Sequence, residues 1–238
     1  MKHWVQIAAS VVVALLPLTV HADFRQWLVE HAREGVRIDL GTREETALSE
    51  YLGQNSLESQ GTQFSEMRPP SHAGWHSGSL EFSGSESYLI ARTIKEAPFF
   101  EEVSVGFWIK PDFTMFEASR QSRFIVSKSA SVEAGFFVSV TAQKGISVGL
   151  VTNAGFHSLN VPGVLENYRW HHVGFTWNGS ELQLYVDGKK QGEPKAATGT
   201  YHDYKAGYLT FGRAASLPVN FYKGLISDFI LVPQAYQP

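Results

Sequence analysis

The chain of 238 residues contains no cysteine. That excludes disulfides, thiolate metal centres, a cysteine nucleophile and a lipid anchor attached through cysteine. Stability must come from apolar burial, with a bound metal ion as the one available supplement. Charge is also sparse: Asp, Glu, Lys and Arg make up 18% of the residues, and the formal net charge is −3. A nucleic-acid binder needs a basic footprint, so nucleic acid is excluded as a partner. No repeat of fixed period and no low-complexity tract is visible.

Long apolar runs are absent except at the start, where "IAASVVVALLPLTV" follows Lys2 and leads into His21, Ala22 and Asp23. A basic start, an apolar stretch and small residues before a break form the pattern of a secretory signal peptide, with cleavage expected after Ala22. Pro17 within the run, and Asp23 and Arg25 soon after it, argue against a permanent membrane anchor, which needs about 20 apolar residues. The expectation is a signal peptide over 1–22, a secreted or periplasmic product, and no transmembrane anchor after cleavage. The rest, about 216 residues, is enough for one large β domain.

Aromatic residues account for 13% of the chain and there are 21 glycines, a composition that fits half-buried strands joined by tight turns. "DFRQWLVEHAREG" reads as a short helix within 23–35, because Phe24, Trp27, Leu28 and His31 recur at helical spacing. "VRIDL" alternates like a strand, and "REETALSEYLG" reads as a second short helix. The polar stretch from Gln54 to Gly78 reads as a long connection lying on the domain. From Gly78 onward, strand signals return every 8–15 residues: "SLEFSG", "SYLIA", "VSVGFWIKP", "RFIVSK", "GFFVSVT", "GISVGLVT", "FHSLNV", "RWHHVGFTW", "ELQLYVDG", "GYLTFG" and "GLISDFILV". Many short strands with turns between them predict an all-β, two-sheet antiparallel sandwich of jelly-roll type over 36–238, preceded by the short helical segment.

The stretch from Trp170 to Gly188 shows the pattern most clearly. Along "HHVGFTW", His171, Val173, Phe175 and Trp177 share one face, while His172 points the other way. Adjacent histidines on opposite faces cannot easily clasp one metal ion, so the doublet predicts scaffold rather than a metal centre. Asn178-Gly179 is a strong hairpin signal, and Leu182, Leu184 and Val186 then match the apolar face of the first strand. "NGS" is formally a glycosylation acceptor, but the turn explains it better.

"RWHHVGFTWNGSELQLYVDGKKQG" resembles the signature hairpin of laminin G-like domains, within the concanavalin A-like lectin/glucanase superfamily. "GSLEFSGSESYLIA", "EEVSVGFWIKP", "RFIVSK", "YLTFGR" and "FYKGLISDFILVPQA" are similar to successive strands of that family, so the likeness runs from about Ser79 to Ala235. "VRIDL" fits the first strand, paired to the last. The resemblance implies the sandwich fold and a Ca²⁺ ion near its rim, with Glu86, Asp39 and Asp228 as the candidate ligands. Ser227 stands where the family usually has Asp, and Asp228 falls one residue later, which by strict alternation points it the other way.

The resemblance does not fix a function. Glycanases of the superfamily line up carboxylates along one strand, and no such array is visible; the pairs Glu44-Glu45 and Glu101-Glu102 read as solvated loop residues. Nor is there a Gly-x-Ser-x-Gly or His-Glu-x-x-His motif. Sugars are held by aromatic faces beside polar groups. Three loop-like segments offer that: "SHAGWH" with Trp75, "NAGFHS" with Phe156 and His157, and "TYHDYKAGY" with Tyr201, His202, Asp203 and Tyr204. The Tyr201–Tyr204 segment is the leading candidate for an exposed ligand site, while Trp108, Trp170 and Trp177 are assigned to the core. The expected activity is non-catalytic recognition of a glycan. Adhesion to a cell-surface or matrix protein comes second, and hydrolysis or lysis of a polysaccharide third.

Overall fold

Period-two alternation produces two antiparallel sheets. The computed structural model describes residues 23–32, 36–38, 40, 57–70, 78–91, 101–128, 134–202 and 208–238. The first sheet contains β1 (Val36–Ile38), β3 (Gln63–Ser65), β4 (Ser79–Ser83), β6 (Val103–Pro111), β11 (His171–Trp177), β12 (Glu181–Val186), β13 (Lys189–Ala196) and β15 (Lys223–Val232). Its order is β13-β12-β11-β6-β15-β4-β3, and β1 also pairs with β15. The second sheet contains β2 (Leu57–Gln60), β5 (Tyr88–Ala91), β7 (Arg123–Lys128), β8 (Phe136–Thr141), β9 (Gly145–Thr152), β10 (Gly155–Val161) and β14 (Leu209–Phe211). Its order is β10-β9-β8-β7-β14-β5-β2.

The central pairing matches the sequence reading. Val173, Phe175 and Trp177 of β11 lie opposite Val186, Leu184 and Leu182 of β12, and opposite Phe107, Val105 and Val103 of β6. All nine are buried in the main core. The core is sealed at one end by Trp177, whose indole N–H donates to the Ala197 carbonyl at 2.6 Å. Asn178 fixes the turn: its side-chain oxygen accepts from the N–H groups of Ser180 and Glu181 at 3.1 and 2.8 Å. As the resemblance implied for "VRIDL", β1 pairs with the closing strand, Val36 opposite Leu231 and Ile38 opposite Phe229.

Three features depart from the sequence reading. The connection from Gln54 to Gly78 holds β2 and β3, which lie in different sheets although only two residues separate them. β13 was not anticipated, because "KKQGEPKA" is an exposed edge with no apolar face to read. The N-terminal helix α1 spans Phe24–His31, ending short of Gly35, with Asp23 as its N-cap. The helix expected over "REETALSEYLG" lies outside the described residues.

α1 packs on the outer face of the first sheet. Phe24 and Leu28 join Ala32, Tyr185, Ile230, Val232 and Tyr236 in a second apolar cluster. Phe24 stacks on Tyr185 with ring centroids 4.3 Å apart. The close approach depends on two glycines that face each other across the β6–β11 ladder, Gly106 and Gly174. A Cβ on Gly106 would lie 2.3 Å from Leu28 Cδ1, and one on Gly174 would lie 2.5 Å from Phe24 Cε1 and 2.3 Å from the Val105 carbonyl oxygen. The paired glycines form a dip that receives both helix side chains.

The adjacent histidines are scaffold. His171 Nδ1 donates to the Asp187 carboxylate at 2.9 Å, and its Nε2 accepts from the Glu166 N–H at 2.9 Å. This pattern assigns the proton to Nδ1. The other carboxylate oxygen of Asp187 accepts from the His172 N–H at 2.9 Å. The His172 ring lies edge-on to Trp108 and Phe24, beneath α1. Burial alone would raise the Asp187 pKa. The hydrogen bonds from His171 and the His172 backbone outweigh it and hold the carboxyl below its ordinary value.

Two outcomes test this account. Gly174→Ala should destabilise the domain by about 1–3 kcal/mol, the usual cost of overpacking, read from urea unfolding. Gly106→Ala should cost less, because the atom it meets is the tip of a flexible leucine rather than a backbone carbonyl. Asp187→Asn should lower the urea midpoint at neutral pH. Because the folded pKa is depressed, the deficit relative to wild type should stay constant down to the ordinary carboxylate value of 3.8 and shrink as pH falls through the folded pKa.

Candidate functional site

Each sheet gives one face to the core, and α1 covers the part of the first sheet's outer face around Gly106, Gly174 and Tyr185. Met67, after β3, adds to that cover, reaching Lys110 Nζ through its sulfur at 3.3 Å. The outer face of the second sheet carries the candidate site. Val148 and Leu150 of β9 and Phe136 and Val138 of β8 point into the core. Alternation therefore turns Ser147, Gly149 and Val151, and Phe137 and Ser139, outward.

Of these, Phe137, Gly149 and Val151 line a shallow trough of about 70 Å³. Phe124, Phe137 and Phe156 line it together with Ser127, Gly149 and Ala215. The three rings run in series: Phe124 meets Phe137 edge-on at 5.1 Å, and Phe137 lies nearly parallel to Phe156 at 6.0 Å. Gly149 makes room for them, since a Cβ there would sit 2.3 Å from Phe137 and 2.8 Å from Phe156. One wall is the loop after β14, pinned where the Ala215 N–H donates to Ser127 Oγ at 2.9 Å. Phe156 is 57% exposed, and Leu217 and Val219 stand exposed on the loop that forms this wall. Among the described residues that line it, none is a carboxylate.

Two of the sequence-predicted segments converge beside this trough. The His202 N–H donates to the Val151 carbonyl at 2.9 Å, and its carbonyl accepts from the Gly135 N–H at 2.7 Å. Tyr201 forms an antiparallel bridge with Thr152. The backbone of Tyr201 and His202 is thus held against β9, and His202 itself is exposed.

Individual residues fall differently. Tyr201, expected to be exposed, is 3% exposed and belongs to the core cluster, so its ring closes the sandwich rather than offering a stacking surface. His157 lies on the opposite face of β10 from Phe156, with Nε2 3.0 Å from Thr152 Oγ1, and so faces away from the trough. Asp203, Tyr204 and Trp75 lie outside the described residues. Sequence reasoning passed over Phe124 and Phe137, which look like ordinary strand residues until their shared outer face is known. The available signal was Gly149, a glycine inside a strand, which marks a close approach.

Two of the candidate calcium ligands, Glu86 and Asp228, stand apart. Asp228 is buried at a β-bulge, where β15 shifts register against β6 between Ser227 and Ile230. Both Ile226 and Phe229 enter the core, so strict alternation fails between them; the extra residue is Asp228, with a φ of 44°. Its carboxylate accepts from Ser227 Oγ at 2.8 Å. Glu86 is exposed in the turn after β4, where Ser83 pairs with Lys223. Asp228 is five residues further along that strand, about 16 Å at ~3.3 Å per residue, too far to share an ion. Asp39 lies outside the described residues. Among the described residues, no three His, Cys, Asp or Glu side chains cluster as a metal site.

A family model described as "Concanavalin A-like lectin/glucanases superfamily" matches residues 83–238. No curated protein matches the chain. Among solved structures, the botulinum neurotoxin serotype D binding domain superposes with a TM-score of 0.62 at 15% identity, covering 88% of this chain and 50% of that one. The binding domain of Paraclostridial Mosquitocidal Protein 1 gives 0.63 at 15% identity, covering 87% of this chain and 50% of that one. The binding domain of botulinum neurotoxin DC in complex with SialylT gives 0.53 at 14%, covering 77% and 44%. The chain therefore spans about half the length of these domains, and at such identity the likeness is one of fold.

Proposed function

This chain belongs to the concanavalin A-like lectin/glucanases superfamily, and we propose that it is an exported, non-catalytic module that binds a glycan on the outer face of its second sheet. The observation that carries this reading is the row of Phe124, Phe137 and Phe156 over Gly149, open to solvent at Phe156. Aromatic faces stack on the C–H surfaces of sugar rings, and nearby hydroxyl and amide groups orient them. Ser158 and Asn160 share the outer face of β10 with Phe156 and are exposed. A trough of about 70 Å³ is far smaller than the 300–1,000 Å³ typical of pockets that engulf a ligand. It suits one face of a sugar ring lying against the sheet.

The described lining residues are apolar rings and small residues, which suits binding; glycosidic cleavage would use a pair of carboxylates. A neurotoxin binding domain solved in complex with SialylT shares this fold over 44% of its own length, which is in keeping with the glycan reading without locating a site for it. Export rests on the sequence of residues 1–22. One observation favours a protein ligand as the second reading: Leu217 and Val219 add exposed apolar surface on the wall loop, enough to anchor a partner's side chain.

Phe156→Ala should abolish glycan-array binding of the full chain without its signal segment, while leaving the melting temperature unchanged. Undiminished binding by that variant would remove the trough from consideration. Tyr201→Ala should behave in the opposite sense, costing about 3–5 kcal/mol of stability as a large-to-small change in a packed core. Capture of a protein partner with no competition by glycans would favour the second reading.

A further inference from the structure

Among the described residues, Lys144, Tyr168, Asp187, Asn220 and Asp228 hold positive φ angles without being glycine. Asp and Asn tolerate the left-handed region through their short polar side chains, and Lys144 closes the tight turn between β8 and β9. Tyr168 is the one aromatic of the group, at a φ of 58°, where a bulky side chain is a backbone outlier. It is also 55% exposed, so packing in the core does not offset the strain. The loop that carries it, between β10 and β11, is held down along its length. The Leu165 N–H donates to the Lys144 carbonyl, the Glu166 N–H to His171 Nε2 and the Tyr168 N–H to the Pro111 carbonyl, each at 2.9 Å. The phenol is fixed as well, donating to Asp112 Oδ1 at 2.9 Å. That carboxylate already accepts from the Thr114 N–H at 3.0 Å and pairs with Lys223 Nζ at 3.0 Å, so it does not need the phenol. The contact serves the ring, which is pinned at its backbone and at its hydroxyl.

We propose that Tyr168 is a second glycan contact, a rigid stacking platform for one neutral sugar ring, separate from the trough. Strain held at an exposed position points to function, since a glycine would take this φ freely. A pinned aromatic face stacks on the C–H surface of a sugar with little left to order on binding. Polar groups stand beside it to meet the hydroxyls. Asn167 spends its Oδ1 on the Phe113 N–H at 2.9 Å, which leaves its NH2 beside the phenol as an oriented donor. Glu166 and Arg169 flank the ring in sequence and pair with each other at 2.6 Å, both side chains 65% exposed. The Glu166–Arg169 and Asp112–Lys223 pairs cancel in charge, which suits a neutral sugar rather than an acidic one. Neither Tyr168 nor any residue it touches lines the trough. The proposal rests on the chain being a glycan binder, and not on the trough being the place where it binds.

Electrophoresis of the full chain without its signal segment, through gels containing soluble β-glucan, xylan, galactomannan or polygalacturonate, tests this. At least one of the three neutral polysaccharides should retard the wild type. Tyr168→Gly should weaken that apparent affinity about tenfold, the scale of one aromatic stacking contact. Its melting temperature should stay close to wild type, because relief of the backbone offsets the lost phenol bond. Tyr168→Phe keeps the ring and should keep most of the retardation. A Tyr168→Gly chain retarded as strongly as wild type overturns the proposal, as does a Tyr168→Phe chain that loses binding as fully as the glycine variant. Retardation by polygalacturonate alone overturns the neutral class. Wild type retarded by none of the four overturns the glycan reading together with this platform. Loss of binding in Tyr168→Gly with Phe156→Ala undiminished supports the platform and removes the trough, whereas the reverse pattern removes the platform alone.

Discussion

A strand offers each side chain one of two faces, and two stacked sheets have four faces between them. In this sandwich two are consumed by the core, where Val103, Val105, Phe107, Val173, Phe175 and Trp177 of one sheet meet Phe136, Val138, Val148 and Leu150 of the other. A third is partly covered by α1, over Tyr185, Ile230 and Val232. The remaining outer face is where aromatic rings can meet solvent without loss of fold. That single constraint explains why Phe137 and Phe156 lie in a trough while Phe136 and Phe175, equally aromatic and close in type, pack edge-to-face at 5.4 Å inside.

The helix that covers the third face is eight residues long, below the length at which an isolated helix holds together in water. Its stability is therefore borrowed from the sheet. Burying Phe24 and Leu28 contributes about 1.5–3 kcal/mol each, and only the Gly106–Gly174 pair lets both side chains approach the ladder closely. The Asp23 cap adds to the fit by accepting the N–H groups of Arg25 and Gln26 at 3.0 and 3.1 Å. The cover and the sheet beneath it form one cooperative unit, and Tyr185, Ile230 and Val232 stay dry because of it.

Much of the fold was legible in the sequence because its strands are amphipathic. The hairpin from His171 to Val186 announces itself through three matched apolar pairs and an Asn-Gly turn. β13, β2 and β3 were illegible for the converse reason: edge strands have little apolar face, and period-two patterning is the signal that reveals a strand. The site was less readable. Composition near a turn drew attention to Tyr201, yet its backbone bridge to Thr152 accompanies a ring turned into the core. Phe156 and His157 are neighbours in sequence and opposites in space. The bulge at Asp228 hides from any argument by alternation, because one inserted residue changes the parity of the strand.

The trough and a regular edge strand share β10, and this is a consequence of geometry rather than coincidence. A flat, regular edge strand is what allows Phe156 to lie nearly parallel to Phe137 and to continue the row begun by Phe124. A bulge of the kind that β12 carries would twist the strand and re-aim that ring. A lysine at position 158 or 160 would stand on the same face as Phe156, beside the trough. The devices that would quiet the edge are the ones that would spoil the surface next to it. A strand that must present a smooth, neutral, aromatic face cannot also be charged and kinked.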